Sequence, residues 1–415
     1  MKTLKIDSLK PYKNNPRKHS DKQIAQIARS IKNFGFTIPI LVDEKNQILA
    51  GHGRWLAAIK AGIKEVPVVQ AENLTEAQKK AYIIADNKLA ENSVWDTDLL
   101  SVELKDIALI DDNFDLSITG FDAPEVDLLF FEESDKKHPE KEEIPINIPP
   151  KVKTGEIWAL GRHRLYCGDS LQKESYSRLL GQEKADIVIA DSPYNVKIDG
   201  HVRSKGGYKE FAMASGEMSE AEFIFFLKKA FANMSEYSKD GSLHYAFIDW
   251  RHMSEILSAG KIYSELKNLC IWNKLSGGMG SLYRSQHELV FVFKKGTAPH
   301  TNNIELGKHG RYRTNVWNYP GIFINNKVNK ENIKLHPTVK PVGLLADILL
   351  DASKRGDIVL DPFGGSGSTL LAAERTGRKA RIIEIDPHYC DVTIYRWEKM
   401  TGAKASLVEE NIEEL

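Results

Sequence analysis

Apolar positions in the first part of the chain change spacing every ten or so residues. Behind Ser20-Asp-Lys-Gln23, a run that resembles a helix start, Ile24, Ile27, Ala28 and Ile31 recur at helical intervals until Gly35. Short apolar runs at 38–42 and 47–49, turned about residues 43–46, predict strands. Gly51-His-Gly-Arg54 opens a second predicted helix through Leu56, Ala57 and Ile59, which Gly62 ends; a strand at 66–69 and a helix at 74–89 follow.

Further on, apolar runs at 186–190, 243–249, 269–272, 289–293, 358–360 and 380–385 alternate with helical periodicity at 220–234, 343–352 and 368–375. That alternation predicts a doubly wound α/β sheet. Between the two parts lies Phe131-Glu-Glu-Ser-Asp-Lys-Lys-His-Pro-Glu-Lys-Glu-Glu-Ile144, then Pro145, Pro149 and Pro150: charged, rich in proline, and predicted to be a linker. No internal repeat is evident.

Composition sharpens this picture in a few respects. At 415 residues the chain is longer than one hydrophobic core usually serves, and 42% hydrophobic content suffices for two. With 57 basic against 57 acidic residues no overall field draws it to a polyanion, so nucleic-acid contacts must come from local patches. Cys167, Cys270 and Cys390 are widely spaced, which argues against a zinc site or a disulfide framework and fits a reducing cytosol; no metal is expected. Neither a signal-peptide core nor a membrane-length apolar run is present, so a cytoplasmic protein without membrane contact is expected.

The candidate chemistry lies in two runs. In Ile358-Val-Leu-Asp-Pro-Phe-Gly-Gly-Ser-Gly-Ser-Thr369 a buried strand meets a glycine-rich turn and then a helix, which lets a ligand approach the backbone at a strand's carboxyl end. No lysine follows Gly367, as a phosphate loop requires, and Leu370 stands where a dinucleotide fingerprint has its third glycine. S-adenosylmethionine needs neither. Glu384 or Asp386, at the end of the next strand, is placed to accept ribose hydroxyls. An ordinary strand-to-helix turn fits the glycines equally well; the acid tilts the balance towards a nucleoside.

In Asp186-Ile-Val-Ile-Ala-Asp-Ser-Pro-Tyr-Asn195 the polar tetrapeptide Asp191 to Tyr194 again follows a buried strand. Methylating an exocyclic amino group is hard because its lone pair is delocalised into the ring. Asp191 and the Ser192 carbonyl can each accept one N–H and orient that lone pair. Pro193 stiffens the loop, and Tyr194 offers a stacking face.

These runs resemble those of β-class DNA amino-methyltransferases, whose loop reads Asp-Pro-Pro-Tyr and whose cofactor motif follows it in sequence. Asp191, Pro193 and Tyr194 match, with Ser192 in place of the first proline; Asp361, Phe363, Gly365, Gly367 and Ser368 match the cofactor motif. His336-Pro-Thr-Val-Lys-Pro341 resembles the segment lining the methionine end of the cofactor, so the resemblance implies cofactor roles for His336, Thr338 and Lys340. Tyr166-Cys-Gly-Asp-Ser170 resembles the segment near the adenine, implicating Asp169. Related loops in glutamine and ribosomal methyltransferases come after the cofactor motif, and none of the cysteines follows a proline as a cytosine-C5 nucleophile does.

The resemblance implies a Rossmann-like, permuted, S-adenosylmethionine-dependent methyltransferase domain over 152–402, with a tail over 403–415. It implies a site-specific enzyme of DNA modification, of the kind found in restriction-modification, acting on adenine N6. Cytosine N4 is the alternative chemistry. Double-stranded DNA is the expected partner. Lys197, Arg203 and Lys205 form a basic loop beside the tetrapeptide, while Arg284, Arg311 and Arg313 lie in or before a basic, aromatic target-recognition region at about 297–335.

Ile48-Leu-Ala-Gly-His-Gly-Arg-Trp-Leu-Ala-Ala58 resembles the Gly-x-x-Arg segment of ParB/sulfiredoxin-like domains. The resemblance implies a small α+β ParB-like domain with a helical extension over 1–131, a linker over 132–151, and a possible anion or nucleotide site at Gly51, Gly53 and Arg54. His52 replaces the cysteine that sulfiredoxin chemistry needs. A DNA-binding ParB-like regulator with a lapsed methyltransferase half is the alternative from another class.

Overall fold

The computed structural model describes residues 2–111, 114–137, 148–195, 216–277, 282–307, 311–321 and 339–408, with backbone alone for 132–137. It divides into two units, Met1–Phe130 and Phe131–Leu415.

In the first unit the chain forms β1 (Lys2–Lys5), α1 (Asp21–Phe34), β2 (Ile40–Val42), β3 (Ile48–Ala50), α2 (His52–Lys60), β4 (Glu65–Gln70), α3 (Glu76–Glu91) and α4 (Thr97–Ile110). The strands make one sheet in the order β1-β4-β2-β3. Ile40, Val42, Ile48, Val66 and Val68 are buried with Ala58 of α2, each large side chain contributing roughly 1.5–3 kcal/mol. The Ser20 side chain accepts the Gln23 N–H, and Thr75 and Gln78 form a capping box at the start of α3. Helix α5 (Ala123–Lys137) runs into the stretch that reads as linker. Glu, Asp and Lys suit a helix as well as a coil, so charge density alone does not separate the two.

The second unit comprises β5 (Ile157–Leu160), β6 (His163–Cys167), α6 (Lys173–Leu180), β7 (Ala185–Ala190), α7 (Glu220–Glu236), β8 (Ser238–Ile248), α8 (Met253–Ala259), β9 (Glu265–Asn273) and β10 (His287–Lys294). It continues through β11 (Val316–Asn318), α9 (Val342–Ala352), β12 (Ile358–Asp361), α10 (Ser368–Thr376), β13 (Lys379–Glu384), α11 (Pro387–Thr401) and β14 (Ser406–Leu407). Among the described residues its strands form one sheet, in the order β11-β9-β10-β8-β7-β12-β13-β6-β5-β14. From β8 to β6 all neighbours are parallel, and β10 joins β8 antiparallel.

Alternate residues of β7 enter opposite cores, as a strand buried on both faces requires. Ile187 and Ile189 pack with Leu345 of α9, Leu371 of α10 and Ile394 of α11; Val188 and Ala190 pack with Tyr176 of α6, Phe223 and Leu227 of α7 and Ile256 of α8. This is the doubly wound α/β architecture expected. Ser406 and Leu407, in the segment that reads as a tail, pair with β5.

Candidate active site

Because β6, β7, β8, β12 and β13 run in parallel, their carboxyl ends open on one edge of the sheet. Open α/β sheets place ligands at such an edge. Val359 of β12 is the register partner of Ile187, and Leu360 that of Val188. The glycine turn after Asp361 and the polar loop after Ala190 therefore leave the sheet side by side.

In the loop, Asp191 Oδ1 accepts the Tyr194 hydroxyl at 2.6 Å and Oδ2 accepts Lys340 Nζ at 2.6 Å. Tyr194 Oη lies 3.0 Å from Glu288 Oε2, so its single proton can go to either acid, and it accepts from Lys340 Nζ at 3.2 Å. Lys340 is only 5% exposed, and its ammonium also reaches Glu288 Oε2 at 3.2 Å. Lys274 completes the group through Glu288 Oε1. Two buried groups, Lys340 and Glu288, thus share a site with two half-buried ones, Asp191 and Lys274.

Burial opposes the charge on Glu288, but Lys340 and Lys274 hold its carboxyl down at about 2. Burial likewise disfavours the Lys340 ammonium, yet Asp191 and Glu288 outweigh it and the pKa lies above the ordinary value. Burial pushes the Asp191 carboxyl up, against the pull of Lys340. Ser192 is buried, and Asn195, at φ 54°, binds Met218 O at 2.8 Å and accepts the N–H groups of Gly216 and Met218.

At the glycine turn, Asp361 Oδ1 accepts the Phe363 N–H at 2.9 Å, while Glu384 accepts those of Gly365 and Asp386 at 2.7 and 2.8 Å. Gly365 has φ +49°, and a Cβ there would meet nothing within 4 Å, so its backbone faces open space. Gly364 is a glycine for another reason: its Cβ would sit 2.2 Å from Ile382. Burial raises both carboxyls, Asp361 and Glu384, to about 7. Asp386 caps α11 through the His388 N–H, and Asp169 accepts Leu171 N–H at 2.8 Å just beyond β6. Phe363 packs against Phe226, 6.2 Å between centroids.

Lys340, expected at the cofactor, touches the acid and tyrosine of the polar loop. Arg311 and Arg313, expected at DNA, are drawn into α9: Arg311 pairs with Asp351 at 2.7 Å and Asp347 at 3.1 Å, and Arg313 with the same acids. Their charge is paired with the buried Asp351 and the half-buried Asp347, which a basic stretch does not reveal in sequence. The Ser368 hydroxyl is buried and accepts from Arg396 at 3.3 Å. Arg284 is exposed and donates to Gly277 O. His336, Thr338, Lys197, Arg203 and Lys205 lie outside the described residues.

Glu288 and Lys274 are the functional candidates that sequence reasoning left without a role. Glu288 is the second residue of the antiparallel strand β10, whose amino end lies beside the carboxyl end of β8. An acid heading an otherwise apolar run, Glu288-Leu-Val-Phe-Val292, was the available signal.

In the first unit Gly51 takes φ +96° ahead of α2, and Arg54 folds back over it, Nη2 reaching Pro39 O at 3.5 Å. Burial lowers the Arg54 pKa, and its Nε is buried without a hydrogen-bond partner. Gly53 packs against His19 and Ile27; His52, buried at the start of α2, accepts the Tyr12 N–H at Nε2, 3.2 Å away.

A doubly wound sheet whose carboxyl edge holds a nucleoside-type turn beside an acid-bearing loop defines a Rossmann-like transferase. The DNA methylase family matches residues 185–395, and the chain belongs to it. The ParB N-terminal domain matches residues 1–87 and the ParB-methyltransferase HTH domain residues 98–154. Over 242 residues the chain is 28% identical to the DNA adenine methyltransferase YhdJ of Escherichia coli, covering 52% of this chain and 76% of that one. Over 75 residues it is 48% identical to the ParB-like nuclease domain-containing protein YnaK of the same organism, covering 18% and 86%. The solved DNA modification methylase TTHA0409 of Thermus thermophilus is 19% identical, with TM-score 0.43, covering 59% of this chain and 96% of that one.

The methyl donor of this DNA methyltransferase is S-adenosylmethionine, and the residues present fit it. Asp361 and Glu384 are buried carboxyls, both raised to about 7 and hydrogen-bonded to backbone N–H groups, next to an open glycine backbone. A cationic ligand with hydroxyl donors relieves the electrostatic cost of such acids. Among the described residues, no helix is long and apolar enough to cross a membrane.

Proposed function

We propose that this protein methylates the N6 amino group of adenine in double-stranded DNA at a specific site. The observation that carries the reading is the Asp191 carboxylate, fixed at the carboxyl end of β7 next to the turn that follows β12. Asp191 accepts one N–H of the amino group and the Ser192 carbonyl accepts the other, which turns the nitrogen lone pair out of the ring plane. The Tyr194 ring stacks on the base, a contact worth about 1–3 kcal/mol. Extruding the base costs a few kcal/mol, which stacking and phosphate contacts offset.

S-adenosylmethionine, when bound, supplies an electrophilic methyl group. Glu384 and Asp386 accept its ribose hydroxyls, Asp169 and Phe363 flank the adenine, and the Gly365–Gly367 turn and Asp361 border the charged end. Arg284 contributes to the DNA-facing surface. In the first unit, Gly51, Gly53 and Arg54 offer a nucleotide-phosphate site at the start of α2, and the domain guides the enzyme to DNA. A DNA substrate puts the protein in the cytoplasm.

Adenine is favoured by the aspartate that heads the loop and by the relative named an adenine methyltransferase. Mass spectrometry of nucleosides from DNA treated with the protein and S-adenosylmethionine tests the choice. N6-methyladenine is the expected product; N4-methylcytosine in its place overturns it.

A further inference from the structure

The cage around Lys340 is more elaborate than cofactor binding needs. Its ammonium lies 2.6 Å from Asp191 Oδ2, 3.2 Å from Glu288 Oε2 and 3.2 Å from Tyr194 Oη, with the rings of Phe247 and Trp272 at 5.2 and 5.6 Å. A lysine pays a large desolvation cost in such a place unless it is fully paired, and here the pairing is to the very acid that addresses the base. From this juxtaposition, and resting on the methyltransferase reading, we propose that Lys340 is a positioning residue of methyl transfer that holds Asp191 ionised and fixes its orientation.

The chemistry requires such a device. The carboxylate form of Asp191 is the stronger acceptor for the amino N–H and the only form that can take up its proton, and burial alone favours the protonated acid. Lys340 opposes that preference by an opposite charge in contact. Each Asp191 oxygen keeps a lone pair beyond those given to Lys340 and Tyr194, so the base can still be bound. When the carbon–sulfur bond breaks and the nitrogen–carbon bond forms, the nitrogen carries an extra proton. That proton passes to the Asp191 carboxylate, restoring a neutral amine. Glu288, held by Lys274 on its far side, shares Lys340 and sets how strongly the lysine bears on Asp191.

The test is the pH dependence of kcat in the full-length protein, with tritiated S-adenosylmethionine and DNA both saturating, alongside cofactor affinity by calorimetry. Lys340→Met should lower kcat about 100-fold at neutral pH and move the acid limb up by about one pH unit or more, so that the deficit shrinks in alkaline buffer. Its cofactor affinity should stay within about threefold of the wild type, and Lys340→Arg should restore the limb. Glu288→Gln, which frees Lys340 for Asp191, should move the limb the other way, and it keeps the idea testable if Lys340→Met does not fold. An equal loss of kcat at every pH, a loss of cofactor affinity that accounts for the defect, or an unmoved limb in Glu288→Gln overturns the proposal. A wild-type protein that transfers no methyl group overturns the methyltransferase reading instead.

Discussion

Ile187 of β7 and Val359 of β12 are register partners in a parallel pair, and this pairing brings Asp191 and Asp361 to one end of the sheet although their strands are far apart in sequence. The order of the motifs is permuted; the geometry is continuous. Asp191 itself should be needed for the chemistry and not for the pocket. Asp191→Asn keeps the shape but presents a neutral group, and kcat should fall by about 100-fold or more, read by methyl transfer at saturating cofactor.

Asp361 and Glu384 give the ligand-free protein a distinctive pH response. Their ordinary values, 3.8 and 4.5, rise to about 7 on folding, so between those values the folded state holds protons that the unfolded state has lost. Their effect is therefore most favourable to the fold below about 4, and fades as pH climbs towards about 7. Binding of a cationic ligand should expel these protons. Calorimetry of S-adenosylmethionine binding in buffers of different ionisation enthalpy should show proton release near pH 7, with affinity growing as pH rises; Glu384→Gln should diminish both.

Arg311 is expected to matter for stability. Its guanidinium is buried against Asp351 and Asp347, and Arg311→Met leaves those acids under-compensated, a loss of about 3–5 kcal/mol in denaturant unfolding. Conditions that keep the variant folded should leave the salt dependence of DNA binding unaltered. A salt slope smaller by about one unit would instead return Arg311 to the DNA interface.

Gly367 adopts φ +81°, and a Cβ there would fall 2.6 Å from Thr393 Cγ2, whose hydroxyl bonds Gly365 O. Gly367→Ala should cost about 1–2 kcal/mol from the left-handed backbone alone, with more from the contact, and should weaken cofactor binding through the displaced turn. Thermal unfolding and cofactor titration check both effects.

Much of this fold is legible in the chain because its central strands are uninterrupted apolar runs. Thus 186–190 corresponds to Ala185–Ala190, 358–360 to Ile358–Asp361, and 380–385 to Lys379–Glu384. Strand β6 escapes that reading since it opens on two polar residues, exposed Arg164 and fully buried His163, the latter satisfied by the Ala380 N–H and Glu374. β11 is short, and β14 pairs only at an edge. Within the site, the loop and the glycine turn are local motifs and visible as such. The Lys340–Asp191–Glu288 contact joins three distant segments, so spacing carries no trace of it. Arg311 and Arg313 mislead for the same reason: their partners on α9 lie outside any local window.

The most direct measurement is single-turnover transfer of a tritiated methyl group from S-adenosylmethionine to DNA by wild type and Asp191→Ala, with cofactor affinity measured on both. The account expects labelled DNA from the wild type, a loss of about 1000-fold or more in the variant, and cofactor affinity essentially unchanged. Equal transfer rates from the two proteins would contradict it, as would a variant whose defect comes from failure to bind the cofactor.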